Sequence, residues 1–110
     1  MRLGALLGPI SDAGNANFLA DQARMFADEG YTSLWSAQAI GRGFFVTDPF
    51  VALAAAAAAT DGLEFGTAVL QLPLYQPTDL AHRVYSLQQL CGGRFIFGVG
   101  AGSTENDFDA

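Results

Sequence analysis

Short apolar runs bounded by turn-forming residues alternate along this chain with longer segments in which apolar positions recur at helical spacing. Arg2 to Leu7 is the first short run and "GPISDAGN" follows it, which predicts a buried strand leading into a loop. In "NANFLADQARMFADEG", Phe18, Leu19, Ala23, Met25 and Phe26 recur near the helical period. Asn15 or Asn17 stands ready to cap that helix, and Gly30 to take the left-handed position beyond its end. "YTSLWSA" predicts a second strand. After the loop "QAIGRGFFVT", Asp48 and Pro49 open a second helix, the carboxylate able to accept from free N–H groups and the proline carrying a first-turn φ.

That second helix, "FVALAAAAAAT", has alanine at six consecutive positions, Ala54 to Ala59. Alanine is the best helix former and the smallest side chain that favours a helix, so the run predicts a closely packed helix. "LEFGTAVLQL" alternates and then becomes fully apolar, a third strand with Pro73 and Pro77 bracketing its exit loop. A third helix is expected from about Thr78 to Cys91, stopped by Gly92 and Gly93, and "RFIFGVG" is a fourth strand. The order is β-α-β-α-β-α-β. Continuously apolar strands are covered on both faces, which points to an α/β fold with a parallel sheet and right-handed crossovers. Neither an internal repeat nor a linker is visible, so residues 1–110 read as a single unit.

A doubly wound open sheet and part of an eight-fold barrel both fit that order. A dinucleotide fingerprint would need three glycines after the first strand, where "ALLGPIS" supplies one. The glycine-rich piece instead follows the fourth strand and reads G-x-G-x-G at Gly98, Gly100 and Gly102, the wrong spacing. A P-loop, a G-x-S-x-G elbow and an H-E-x-x-H helix are likewise absent from the sequence.

Composition removes further classes. The 110 residues carry a formal charge of -6, which gives no basic footprint for nucleic acid. The longest apolar run, Pro49 to Ala59, is about half of what a membrane-spanning helix requires, and "MRLGALLGPI" lacks the regions of a secretory signal. A cytoplasmic protein with no membrane partner is expected. A single cysteine, Cys91, excludes an internal disulfide and has no zinc-type setting, so no metal site is expected.

"GYTSLWSAQ", "DPFVALAAAAAAT", "LEFGTAVLQLPLYQPTDLAHR" and "GGRFIFGVGAGSTENDF", in this order and spacing, resemble successive signature segments of the luciferase-like monooxygenase family, the flavin- and deazaflavin-dependent (β/α)8 barrels. The resemblance runs from about Arg2 to Phe108 and covers only the first half of such a TIM barrel, strands one to four, since a full barrel needs roughly 250 residues. It implies a cofactor ring, FMN or a deazaflavin (coenzyme F-420), at the C-terminal mouth of the barrel. It also implies hydride transfer or oxygen insertion on a small-molecule substrate.

In the family a bulge at the end of the third strand, often with a cis peptide bond, backs the ring. The matching residues are Thr67, Ala68 and Val69, which from the residues alone read as buried strand. Where the family often has an acid followed by histidine, this chain has Gln38 and Ala39. Gln38 can hydrogen-bond a flavin or substrate under the resemblance, while on its own it reads as a surface-loop glutamine. Gly98, Gly100 and Gly102 would allow close approach of a flat ligand. N–H groups from Ser103 to Asn106 would meet a phosphate or ring carbonyl if a helix begins there, and Asn106 falls near a family cofactor-contact position.

Gln88 and Cys91 replace an Asp and a Ser common in the family, and both read as structural; Cys91 at a helix end is not placed to be a reactive thiolate. His82 reads as a solvated helix residue, and Arg83 and Arg94 as partners of acids; no residue is given a catalytic role. Half a barrel also has open edge strands, so the other expectation is a non-catalytic fragment or an assembly module. Such a module would be a homo-oligomer or would pair with a complementing half-barrel.

Overall fold

The computed structural model describes residues 2–8, 16–39 and 46–101. Its elements are β1 (Gly4–Leu6), α1 (Phe18–Asp28), β2 (Ser33–Ser36), α2 (Pro49–Ala59), β3 (Glu64–Thr67) and β4 (Leu70–Gln71). A 3-10 turn (Leu72–Leu74), α3 (Pro77–Leu90), β5 (Phe95–Ile96) and β6 (Val99–Gly100) complete them. β1, β2, β3 and β5 form one parallel sheet in chain order, and β4 and β6 a second parallel pair.

This order never reverses, so the sheet lacks the switch point of a doubly wound fold. All three helices lie on one face, α2 between α1 and α3. A single core joins Leu19 and Ala23 of α1, Leu34 of β2, Leu53 and Ala56 of α2, Phe65 of β3, Leu80 and Leu87 of α3, and Phe95 of β5. A sheet with helices on one face and strands in sequence order is a barrel wall.

The alanine run explains the central place of α2. Ala52 and Ala56 are buried and Ala54, Ala55 and Ala57 pack on the core, so small side chains let neighbouring helices and strands approach together. Asp48 caps this helix by accepting from the Val51 N–H at 3.2 Å, with Pro49 in the first turn as expected. Gly30, Gly92 and Gly93 have φ of 96°, 62° and 82°, the left-handed geometry that ends α1 and α3. On α1, Met25 is 47% exposed, against the expectation. At 100° per residue it stands well off the stripe set by Leu19, Ala23 and Phe26.

Both C-terminal strands differ from the expectation. "LEFGTAVLQL" stops after Thr67, resumes at Leu70–Gln71, and gives Leu72 to the 3-10 turn; "RFIFGVG" is divided likewise between β5 and β6. The cause is an extra residue. Gly66 pairs with Ile96 and Leu70 with Val99, so Thr67, Ala68 and Val69 face only Phe97 and Gly98, which makes a bulge. Pro77, expected in the exit loop, is instead the first residue of α3, where its missing N–H costs nothing and the Gln76 side chain accepts from Asp79 N–H at 2.8 Å.

Candidate functional site at the C-terminal mouth

The bulge lies at the C-terminal ends of the strands. The peptide bond between Ala68 and Val69 is cis, at the position the resemblance singled out. Thr67 is 1% exposed, and its hydroxyl donates to the Gly98 carbonyl at 2.7 Å; the same carbonyl accepts from Leu70 N–H at 2.9 Å. Ala68 N–H donates to Ser36 O at 2.9 Å, which ties the bulge to β2 on its other side. Between the buried Thr67 and Leu70, Ala68 and Val69 are exposed. The chain therefore presents a small aliphatic edge held from both neighbouring strands.

The glycines serve that edge. A Cβ on Gly98 would lie 2.2 Å from Thr67 O, and one on Gly100 would lie 3.0 Å from a Val69 methyl. The bare side at both positions is thus turned toward the bulge. Gly102, Ser103 and Asn106, the remaining expected contacts, lie outside the described residues.

Deeper in the sheet, on the face away from the helices, Leu6, Trp35, Gly66 and Ile96 stand in register. The Trp35 indole covers the bare faces of Gly4 and Gly66, where ideal Cβ atoms would lie 2.7 and 2.3 Å from it, and its Nε1–H donates to Ser33 Oγ at 2.9 Å. Below this floor Arg2 pairs with Glu64.

Gln38 corrects an expectation: it is no surface-loop residue but only 7% exposed. Its Oε1 accepts from Gln71 N–H at 2.8 Å and its Nε2 donates to the Tyr75 hydroxyl at 2.6 Å. A backbone N–H can only donate, so this amide has one possible orientation. Tyr75 and Gln71 were missed by sequence reasoning. The available signal was a phenol between Pro73 and Pro77 just beyond a strand end. The Tyr75 ring meets Phe50 edge-on with centroids 6.2 Å apart and lies 6.0 Å from the Arg83 guanidinium. Burial first, then the Asp48 charge, raise the Tyr75 pKa above the usual phenol value; the Gln38 bond and Arg83 oppose them.

The other candidates stand apart from the mouth. Arg83 pairs with Asp79 at 3.0 Å, as expected of it, and His82 lines a cavity of about 270 Å³ between α2 and α3. Arg94 is at the opposite end of the strands, beside Asp61 and Gly62. Cys91 is buried, and burial raises its thiol pKa, so it is an unreactive structural residue. Gln88 bridges Phe95 N–H and the Gly93 carbonyl, also structural. Among the described residues no cluster of three or more His, Cys, Asp or Glu could hold a metal.

The sequence model of the luciferase-like monooxygenase family matches residues 3–110. The chain belongs to this family. It is 34% identical over 94% of its length to 4-hydroxyprotoasukamycin monooxygenase of Streptomyces nodosus subsp. asukaensis, covering 30% of that protein. The oxygenating constituent of 3,6-diketocamphane monooxygenase of Pseudomonas putida, solved in complex with FMN, superposes with a TM-score of 0.83 over 97% of this chain and 31% of that one, at 24% identity. The coenzyme F420 dependent tetrahydromethanopterin reductase of Methanopyrus kandleri superposes with a TM-score of 0.71 over 97% of this chain and 28% of that one, at 20% identity. The fold is the first half of a luciferase-like (β/α)8 barrel, and the chain spans about 30% of the length of the relative it matches.

Proposed function

We propose that this chain forms one wall of a flavin-type cofactor site in an oxidoreductase that acts on a small organic substrate. The exposed Ala68–Val69 edge carries the reading, being an aliphatic backing at the barrel mouth clamped by Thr67, Gly98 and Ser36. Its chemistry suits a flat aromatic ring, which packs on small aliphatic groups and needs no metal ligands. Ala68 and Val69 would back the ring, with the buried Thr67 holding them from behind, and Gly100 would give Val69 its room. Gln38 stands beside this wall, bonded to Gln71 and Tyr75, and Gly102 and Asn106 complete the proposed contacts. When bound, FMN or a deazaflavin supplies hydride transfer or, as reduced flavin, oxygen activation. The chain itself supplies position and an apolar floor at Trp35 that excludes water.

The FMN-bound and F420-dependent relatives support a flavin-type cofactor of either kind. The test equilibrates the protein with FMN and with coenzyme F420, removes free cofactor by desalting, and records the visible spectrum. Retention of one with a shifted band is expected; retention of neither would overturn the reading. A cytoplasmic setting belongs to the same proposal; no helix among the described residues is long and apolar enough to cross a membrane.

A second reading, an assembly module, rests on two apolar surfaces. Leu6 and Ile96 are 56% and 43% exposed on the inner face, and Tyr85 and Phe97 are 76% and 37% exposed on the flank of α3 and β5. The remaining strands and helices of a barrel, or a second copy of this chain, would cover them. Sedimentation of the isolated chain tests it: a dimer or larger species is expected, and a stable monomer would overturn it.

A further inference from the structure

We propose that Gln38 is a positioning residue, acting on the cofactor wall through Gln71 and Tyr75 rather than by touching the ring. The inference rests on the flavin-type reading above and deepens it. Gln38 follows β2 at the mouth, and its side chain spans to two other elements, with the carbonyl on the backbone of β4 and the amide on the phenol that precedes α3. β4 begins immediately after the cis Ala68–Val69 bond. The bulge is therefore fixed on one side by the Thr67 and Gly98 bonds and on the other by the Gln38 bond to Gln71. Without Gln38, Gln71 N–H would lose an acceptor in a buried place, and β4, which follows Val69, would lose its side-chain tie to the segment after β2, leaving the Ala68 N–H bond to Ser36 O as the remaining tie on that side.

The orientation is also informative. Because Gln38 Nε2 donates to it, the Tyr75 oxygen is an acceptor in this pair. Replacing Gln38 by an apolar residue removes both bonds, whereas Tyr75→Phe removes one and keeps the ring against Phe50 and Arg83. A direct ring contact by Gln38 and a positioning role thus predict different results for Tyr75→Phe, which removes the acceptor of the Gln38 amide and leaves the Gln38 side chain in place.

Gln38→Leu, Tyr75→Phe and the double variant are compared with the parent chain for affinity toward FMN and coenzyme F420 and for the position of the bound visible band. Gln38→Leu is expected to weaken binding about tenfold and move the band, the loss corresponding to about one hydrogen bond. Tyr75→Phe is expected to weaken it about threefold with a band shift in the same direction. The double variant should be no weaker than Gln38→Leu, which is the signature of one coupled unit. Normal parent-like binding and band in Tyr75→Phe, with Gln38→Leu alone defective, would overturn the inference in favour of direct contact. Parent-like behaviour of both single variants would overturn it outright. If the parent retains neither cofactor, the flavin reading fails and takes this inference with it, a result distinct from either of the others.

Discussion

The carbonyl oxygen of Thr67 occupies the space a side chain at Gly98 would need, 2.2 Å from the ideal Cβ position, while the Thr67 hydroxyl donates to the Gly98 carbonyl at 2.7 Å. Third and fourth strands are thereby closed on each other at the mouth, and the extra residue in the third strand has only the outward direction left. The exposure of Ala68 and Val69 follows from this contact.

Gly98→Ala should accordingly be severe, because the atom in the way is backbone and cannot rotate aside. A loss of about 2–3 kcal/mol is expected from overpacking. Thr67→Val keeps the shape and removes one bond from a carbonyl that still accepts from Leu70, so a loss of about 1 kcal/mol is expected. Urea midpoints at unchanged slope measure both. Equal stability of Gly98→Ala and the parent would contradict the close approach.

Gly66→Ala probes the floor. A Cβ there would lie 2.3 Å from the Trp35 ring and 3.0 Å from the Ile96 carbonyl, so the indole must move. Trp35 is the sole tryptophan, and its fluorescence reports the move directly. A changed emission maximum and a loss of about 1–3 kcal/mol are expected. An unchanged spectrum would mean that the ring does not lie over Gly66.

Element order was legible in this sequence because each apolar run has its own period and its own stop, such as Gly30 after α1 and the Gly92–Gly93 pair after α3. The break in the third strand was not legible from local residues. Nothing between Thr67 and Leu70 is a glycine or proline, and the interruption is imposed by Gly98 on another strand; only the family resemblance pointed at Thr67 to Val69. Gln38 read as a loop residue for the same reason. Its burial depends on Gln71 and Tyr75, 33 and 37 positions away, which no local pattern can announce.

Stability should fall at alkaline pH in two parts. Burial raises the Cys91 thiol, and burial with the Asp48 charge raises the Tyr75 phenol. A group whose pKa is higher folded than unfolded stabilises the protein fully below its unfolded value and loses that contribution as pH rises through the folded one. The losses therefore begin above about pH 8.5 for the thiol and about pH 10 for the phenol. The chain has no lysine to titrate in the same range. Melting temperature should be level from about pH 7 to 8 and then fall; Cys91→Ala should flatten the first part and Tyr75→Phe the second. Identical alkaline profiles in parent and variants would refute the assignment.

Gln88 makes the last test, because it joins the end of α3 to the start of β5. Its Oε1 accepts from Phe95 N–H at 3.0 Å and its Nε2 donates to Gly93 O at 3.2 Å, so one side chain closes the tight turn that sets where the fourth strand begins. Gln88→Leu leaves the Phe95 N–H, which is partly buried, without its acceptor, and about 1–2 kcal/mol should be lost. The effect should be local: amide exchange at Phe95 should accelerate well beyond that at Phe65, which donates to Arg94 O in the sheet. Exchange that rises equally at both amides would mean that Gln88 contributes only to global stability, and that the strand start is set by Gly92 and Gly93 alone.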